Sequence, residues 1–144
     1  WMLFGGQSFR IQITQSESTQ KQYTQEDRMK LFKWDQGRQG TGYDKMLLAV
    51  SKRFFLFDCY LIRYPEGSGI PPHTDPSTLG RHYRLNIILK SPKSGGEFLC
   101  KDPIFETKRI KLFRPDQSEH SVTTVVGGTR YVLSIGWIYG KNKT

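Results

Sequence analysis

Residues 127–137 read Gly-Gly-Thr-Arg-Tyr-Val-Leu-Ser-Ile-Gly-Trp. Gly127 and Gly128 form a turn, and alternation follows it: Arg130, Val132, Ser134 and Gly136 fall on one face of an extended chain, Tyr131, Leu133, Ile135 and Trp137 on the other. The first face is small and polar apart from Val132, as the wall of a cavity would be. The second is bulky and suits packing, so Trp137 reads as core rather than site. Similar short runs recur about every ten residues from Phe54 onward: 54–64, 68–73, 84–89, 97–100, 109–113 and 119–126. With 129–139 they make roughly seven or eight strands punctuated by turns such as Lys93–Gly96, the pattern of a β-sandwich or barrel.

Upstream of Phe54 the texture differs. Residues 15–45 are polar and rich in Gln, Thr, Ser and Gly. Ser8–Thr14 alternates and predicts a strand. Thr24–Trp34 predicts a short helix capped at Thr24 with Asp27 at the third position, and Tyr43–Ser51 a second, with Met46, Leu47 and Val50 on one side. The run Gly37-Arg-Gln-Gly-Thr-Gly42 is a loop, and without a following Lys it is not a phosphate loop. The chain of 144 residues therefore reads as one domain, with residues 1–53 as a strand-and-helix cap and 54–140 as the β core.

The 22 Lys and Arg exceed the 13 Asp and Glu by nine, and the excess is spread along the chain rather than gathered in a tail. Such a surface favours anionic partners, among them nucleic acid or a ribosomal partner. The aromatic run Lys52–Tyr64 alternates like a buried strand, which argues against a base-stacking platform. No apolar run approaches the ~20 residues of a membrane helix, so no membrane partner is expected. Cys59 and Cys100 are isolated, which excludes a CxxC zinc or redox motif; two reduced thiols and no visible signal peptide suggest a cytoplasmic setting.

The three histidines carry the chemistry. His73 and Asp75, in Ile-Pro-Pro-His-Thr-Asp-Pro (70–76), are two apart and share a face of an extended chain. An imidazole and a carboxylate so placed are two parts of a 2-His-1-carboxylate triad for non-haem Fe(II). His120 lies far enough along to supply the third from a neighbouring strand. Arg130 follows ten residues later; strand, turn and strand bring it back beside the His120 strand and toward the same cavity. His82 reads as a solvated loop histidine, and Glu97, Asp116 and Glu119 as surface residues.

This order resembles the Fe(II)/2-oxoglutarate-dependent oxygenases, nearest their prolyl 4-hydroxylase-like branch. The resemblance covers roughly 54–140 and includes the Tyr64–Pro65 lead-in, the turn at 95–98 and the last apolar strand. It implies a mainly β fold: an eight-stranded double-stranded β-helix, a jelly-roll or cupin-like barrel, with one to three N-terminal helices packed outside. It also implies that His73, Asp75 and His120 hold Fe(II) and that Arg130 binds the distal carboxylate of 2-oxoglutarate. O2 is the second cosubstrate, and ascorbate a further cofactor. Tyr64 corresponds to a tyrosine that commonly bonds the 2-oxo acid, whereas Tyr60 reads as packing.

Arg84 and Asn86 share a face with Ile88. Their setting is similar to an Arg-Leu-x motif of aspartyl/asparaginyl β-hydroxylases, which implies a substrate contact for Arg84 and a 2-oxoglutarate contact for Asn86. That family typically lacks the metal carboxylate, whereas Asp75 is present here. Some relatives pair their Arg with a Ser two residues on; here Val132 fills that position, and Ser134 has no assigned role. The expected activity is hydroxylation of a C–H bond on a protein or peptide substrate, chosen by loops such as 15–45 and 76–83. Two alternatives stand beside it. A nucleic-acid-modifying oxygenase of the same superfamily is disfavoured by the lack of an Arg-x-Asn-x-Thr-x-Arg run after His120. A non-catalytic cupin-like binding module would not need the four site residues together.

Overall fold

β10 (Arg130–Tyr139) lies at the middle of an antiparallel sheet of seven strands, flanked by β3 (Leu56–Tyr64) and β5 (Arg81–Lys90). Outside β3 come β2 (Asp44–Ser51) and then β1 (Trp34–Gln36); outside β5 come β8 (Ile110–Phe113) and β7 (Phe105–Glu106). A second sheet of three strands runs β4 (Ile70–His73), β9 (His120–Val122), β6 (Phe98–Cys100). The computed structural model describes residues 31–38, 40–52 and 55–140. It divides the chain into two compact units, Trp1–Leu31 and Phe32–Thr144, and all ten strands belong to the second.

The alternation in 129–137 becomes burial. Arg130, Val132, Ser134 and Gly136 are buried and their neighbours half-buried. Register transmits that parity sideways: Arg130, Val132, Ser134 and Gly136 lie opposite Tyr64, Ile62, Tyr60 and Asp58 of β3. On the other side Val132, Ser134 and Gly136 lie opposite Ile88, Asn86 and Arg84 of β5. The hydrophobic core forms where this inner face meets the small sheet, from Tyr64, Val132 and Phe113 on one side and Phe98, Val122 and Val125 on the other.

Tyr43–Ser51 is not a helix. Residues 44–51 form β2, paired with β3 along its length and with β1 at its start. The three-residue spacing of Leu47 and Val50 imitates a helical period, but a bulge between Leu47 and Ala49 produces it. The extra residue restores parity, so Leu47 lies opposite Tyr60 and Val50 opposite Asp58, two residues of one face. The expected helix 24–34 ends instead in a strand at Trp34; its first seven positions and the expected strand 8–14 lie outside the described residues. Among the described residues there is no helix, and none long and apolar enough to cross a membrane. Cys59 and Cys100 are both free thiols.

Arg130 does not return beside the His120 strand. β9 pairs with β4 and β6, whereas β10 pairs with β3 and β5. The Gly127–Gly128 turn, with φ of 68° and 107°, switches the chain from one sheet to the other after an isolated bridge between Ser94 and Val126.

Candidate metal centre

His73 and His120 are directly opposed across the β4–β9 pair, their ring centroids 4.3 Å apart. Each ring is fixed by a backbone carbonyl two residues upstream: Nδ1 of His73 lies 2.8 Å from the Pro71 oxygen, and Nδ1 of His120 lies 2.9 Å from the Ser118 oxygen. A carbonyl only accepts, so Nδ1 carries the proton in both rings. The Nε2 lone pairs are then free, as metal ligation requires. Asp75 Oδ2 lies 3.6 Å from Nε2 of His73 and 3.4 Å from Nε2 of His120. The three donor atoms lie within 4.8 Å of one another, close enough to hold one ion.

Hydrophobic walls hold the histidines. Phe113 and Phe98 stand 5.0 and 6.1 Å from the His120 ring, centroid to centroid. The Asp75 amide donates to the Pro115 carbonyl at 2.7 Å, which anchors the chain just beyond β4. Burial raises the Asp75 pKa, but a hydrogen bond from His120 and the charges of His73 and His120, when those rings are protonated, together with that of Arg38, outweigh it and bring it to about 2. The carboxylate is therefore ionised over the physiological range.

The triad opens on a cavity of about 280 Å³ whose wall includes Tyr43, Lys45, Tyr60, Ile62, Tyr64, His82, Arg84, Asn86 and Ser134. Every candidate site residue except Arg130 lines it. Arg130 is 2% exposed; its guanidinium lies 4.9 Å from the Tyr64 ring centroid, and Tyr64 is the residue that reaches the cavity. Burial lowers the Arg130 pKa, against a hydrogen bond and charge interaction with Tyr64. Its Nε is buried without a hydrogen-bond partner, and among the described residues it has no carboxylate partner. Burial pushes the Tyr64 phenol up to about 12 despite the neighbouring guanidinium.

Arg84, at the other end of the β10 inner face, is fully engaged. Its Nη2 donates to both oxygens of Asp58 at 2.9 and 3.2 Å, and its Nη1 to Ser134 Oγ at 3.0 Å. Ser134 in turn donates to Asn86 Oδ1 at 2.6 Å. Gly136 makes room for this chain: a Cβ there would stand 2.4 Å from Arg84 Nη2. His82 lies in β5 rather than a loop; burial and the Arg84 charge lower its pKa. Asp116 is also no surface residue, its side chain being 5% exposed and bonded to Arg114 at 2.6 Å. Asp58, Ser134, Lys45 and Arg38 are cavity or network residues to which sequence reading assigned no role. For Asp58 the signal was present, an acid in phase with Tyr60, Ile62 and Tyr64.

No protein-family model matches the sequence, and no curated protein matches it. Solved structures do. A prolyl 4-hydroxylase from Pseudomonas putida matches with a TM-score of 0.58 at 14% identity, over 87% of this chain and 85% of that one. The cupin domain of Schizosaccharomyces pombe Cnp3 matches at 0.51 and 15% identity, over 74% and 69%. A Trichoplax adhaerens prolyl hydroxylase, solved with a hypoxia-inducible-factor peptide fragment, matches at 0.46 and 25% identity, over 71% of this chain. The chain spans 48% of that protein, and the same share of its match in the Rhodobacter sphaeroides SigE–ChrR complex. The fold is thus that of the cupin-like double-stranded β-helix proteins, among which enzymes and non-enzymatic domains both occur. Within that class, this chain brings two imidazoles and one carboxylate to a point, a donor set compatible with Fe(II).

Proposed function

We propose that the protein is an Fe(II)- and 2-oxoglutarate-dependent oxygenase that hydroxylates a C–H bond, on a protein side chain, and converts 2-oxoglutarate to succinate and CO2. The observation that carries the reading is the convergence of His73 Nε2, His120 Nε2 and Asp75 Oδ2, with both Nδ1 atoms already committed to carbonyls. These three residues would hold Fe(II), and all three line the cavity in which the cosubstrate would bind. The bound iron supplies O2 activation coupled to oxidative decarboxylation of the 2-oxo acid.

The remaining residues bind and orient. The distal carboxylate of 2-oxoglutarate is drawn to Arg130, the buried cation that has no carboxylate partner among the described residues. Tyr64 stands between Arg130 and the cavity, so its hydroxyl contacts the cosubstrate while the guanidinium behind it supplies charge. The Asn86 amide, held through its oxygen by Ser134, offers its N–H groups to the same molecule. Arg84, clamped by Asp58, forms the opposite wall and meets the substrate.

His73→Ala and Asp75→Ala test the ligand set. Each is expected to abolish Mn(II) binding, followed by electron paramagnetic resonance, and 2-oxoglutarate turnover, while far-ultraviolet circular dichroism stays that of the wild type. Wild-type Mn(II) affinity in either variant would remove that residue from the site.

A further inference from the structure

Arg38, just beyond β1, reaches the metal site from the loop side of Tyr43. Arg38 Nη2 lies 2.6 Å from Asp75 Oδ1, the carboxylate oxygen that does not face the histidines. The two oxygens of Asp75 are thereby divided: Oδ1 to the guanidinium, Oδ2 toward His73 and His120 at 3.6 and 3.4 Å. The loop is pinned from several sides. Gly37 N–H donates to the Tyr43 carbonyl at 2.8 Å, Thr41 N–H to the Arg38 carbonyl at 3.2 Å, and Gly69 N–H to the Thr41 carbonyl at 3.2 Å. The last bond ties the loop to the turn that leads into β4, the strand of His73. Gly37 is also closely covered, since a Cβ there would stand 2.1 Å from the Tyr43 ring.

The geometry points to Arg38 as a positioning residue that keeps Asp75 a one-oxygen ligand and so preserves an open coordination position for the 2-oxo acid. It rests on the oxygenase reading above. A carboxylate next to a divalent ion binds through one oxygen or both, and a bidentate carboxylate takes an additional position. Three protein ligands would leave three positions on a six-coordinate ion, of which a chelating 2-oxo acid would need two. If Oδ1 also reached the ion, cosubstrate would have to displace it. A guanidinium bonded to Oδ1 prevents that.

Two effects of removing Arg38 have opposite signs, which makes the role separable from a structural one. Metal affinity should hold or rise, because a cation near the ion is gone and the carboxylate becomes free to chelate. Cosubstrate affinity should fall, because a position is taken. Arg38 and Asp75 side chains are 46% and 40% exposed, so the pair contributes little to folding, and the variants should fold. Lys reproduces a single N–H to oxygen contact, which is all that Asp75 receives from Arg38.

The test uses the full chain loaded with Co(II), titrated with the inert cosubstrate mimic N-oxalylglycine and read by the visible absorption of the metal. Arg38→Met is expected to weaken N-oxalylglycine binding about tenfold or more, with Co(II) affinity equal to or tighter than the wild type. Arg38→Lys is expected to restore most of the loss. Parallel weakening of Co(II) and N-oxalylglycine, no change in either, or no rescue by Lys would each overturn the role of Arg38. Failure of the wild-type Co(II) protein to bind N-oxalylglycine at all would instead overturn the oxygenase reading on which it rests.

Discussion

Arg130→Met separates a cation kept for a ligand from a cation kept for the fold. Arg130 is 2% exposed, its Nε has no partner, and Tyr64 compensates it through its ring face and a hydrogen bond. An ion taken from water costs several kcal/mol even after relaxation. A desolvated cation–π contact returns about 2 kcal/mol. The difference favours an apolar side chain of similar length, so the ligand-free Met variant should be more stable by about 1–3 kcal/mol. For a unit of this size that is about 4 °C of Tm per kcal/mol. Ligand should reverse the ranking. 2-Oxoglutarate at a hundred times its Kd stabilises the metal-loaded wild type by about 2.7 kcal/mol, and a hundredfold loss of affinity reduces that to about 0.4 kcal/mol. The assay is thermal and urea unfolding of both proteins with Mn(II), with and without 2-oxoglutarate under anaerobic conditions. A ligand-free Met variant several kcal/mol less stable than the wild type, or one with an undiminished 2-oxoglutarate shift, would refute the reasoning.

Further outcomes follow from the packing and the titrating groups. Phe113 is 1% exposed and its ring lies 5.0 Å from that of His120. Phe113→Ala should cost about 3–5 kcal/mol in urea unfolding and also weaken Mn(II) binding, because His120 loses a wall. His82 has a folded pKa below its ordinary 6.5, through burial and then the Arg84 charge. Its contribution to stability is present above pH 6.5 and is lost as pH falls through the folded value. His82→Gln should therefore flatten the acid side of the stability curve, seen as a smaller drop in unfolding free energy between pH 7 and 5; an unchanged slope would assign that drop elsewhere.

The inner face of β10 was legible in the sequence because period-2 alternation needs only local steric rules, and 130–136 obey them without interruption. The HxD pair was picked out by its extended-chain spacing, but β4 ends at His73 and Asp75 follows it in irregular chain, held by its amide bond to the Pro115 carbonyl. The His120 partnership with His73 needed a long-range pairing that spacing suggests and only register fixes. β2 was misread because its bulge shifts the apolar period to three, which mimics a helix turn. The position of Arg130 was half legible: its face was readable, but the glycine turn changes sheets, and nothing in Gly127–Gly128 announces which sheet the chain will join. Arg38 was invisible as a site residue because it acts across 37 residues of chain from a loop defined only by its glycines.

The central claim is that His73, Asp75 and His120 form an iron site that consumes 2-oxoglutarate. The most direct measurement is succinate formed from 2-oxoglutarate by purified full-length protein in air, with Fe(II) supplied and then withheld, even without a prime substrate. The account predicts slow, uncoupled, strictly Fe(II)-dependent succinate production that disappears in Asp75→Ala. A folded, Fe(II)-loaded protein that neither binds 2-oxoglutarate nor forms succinate would contradict it.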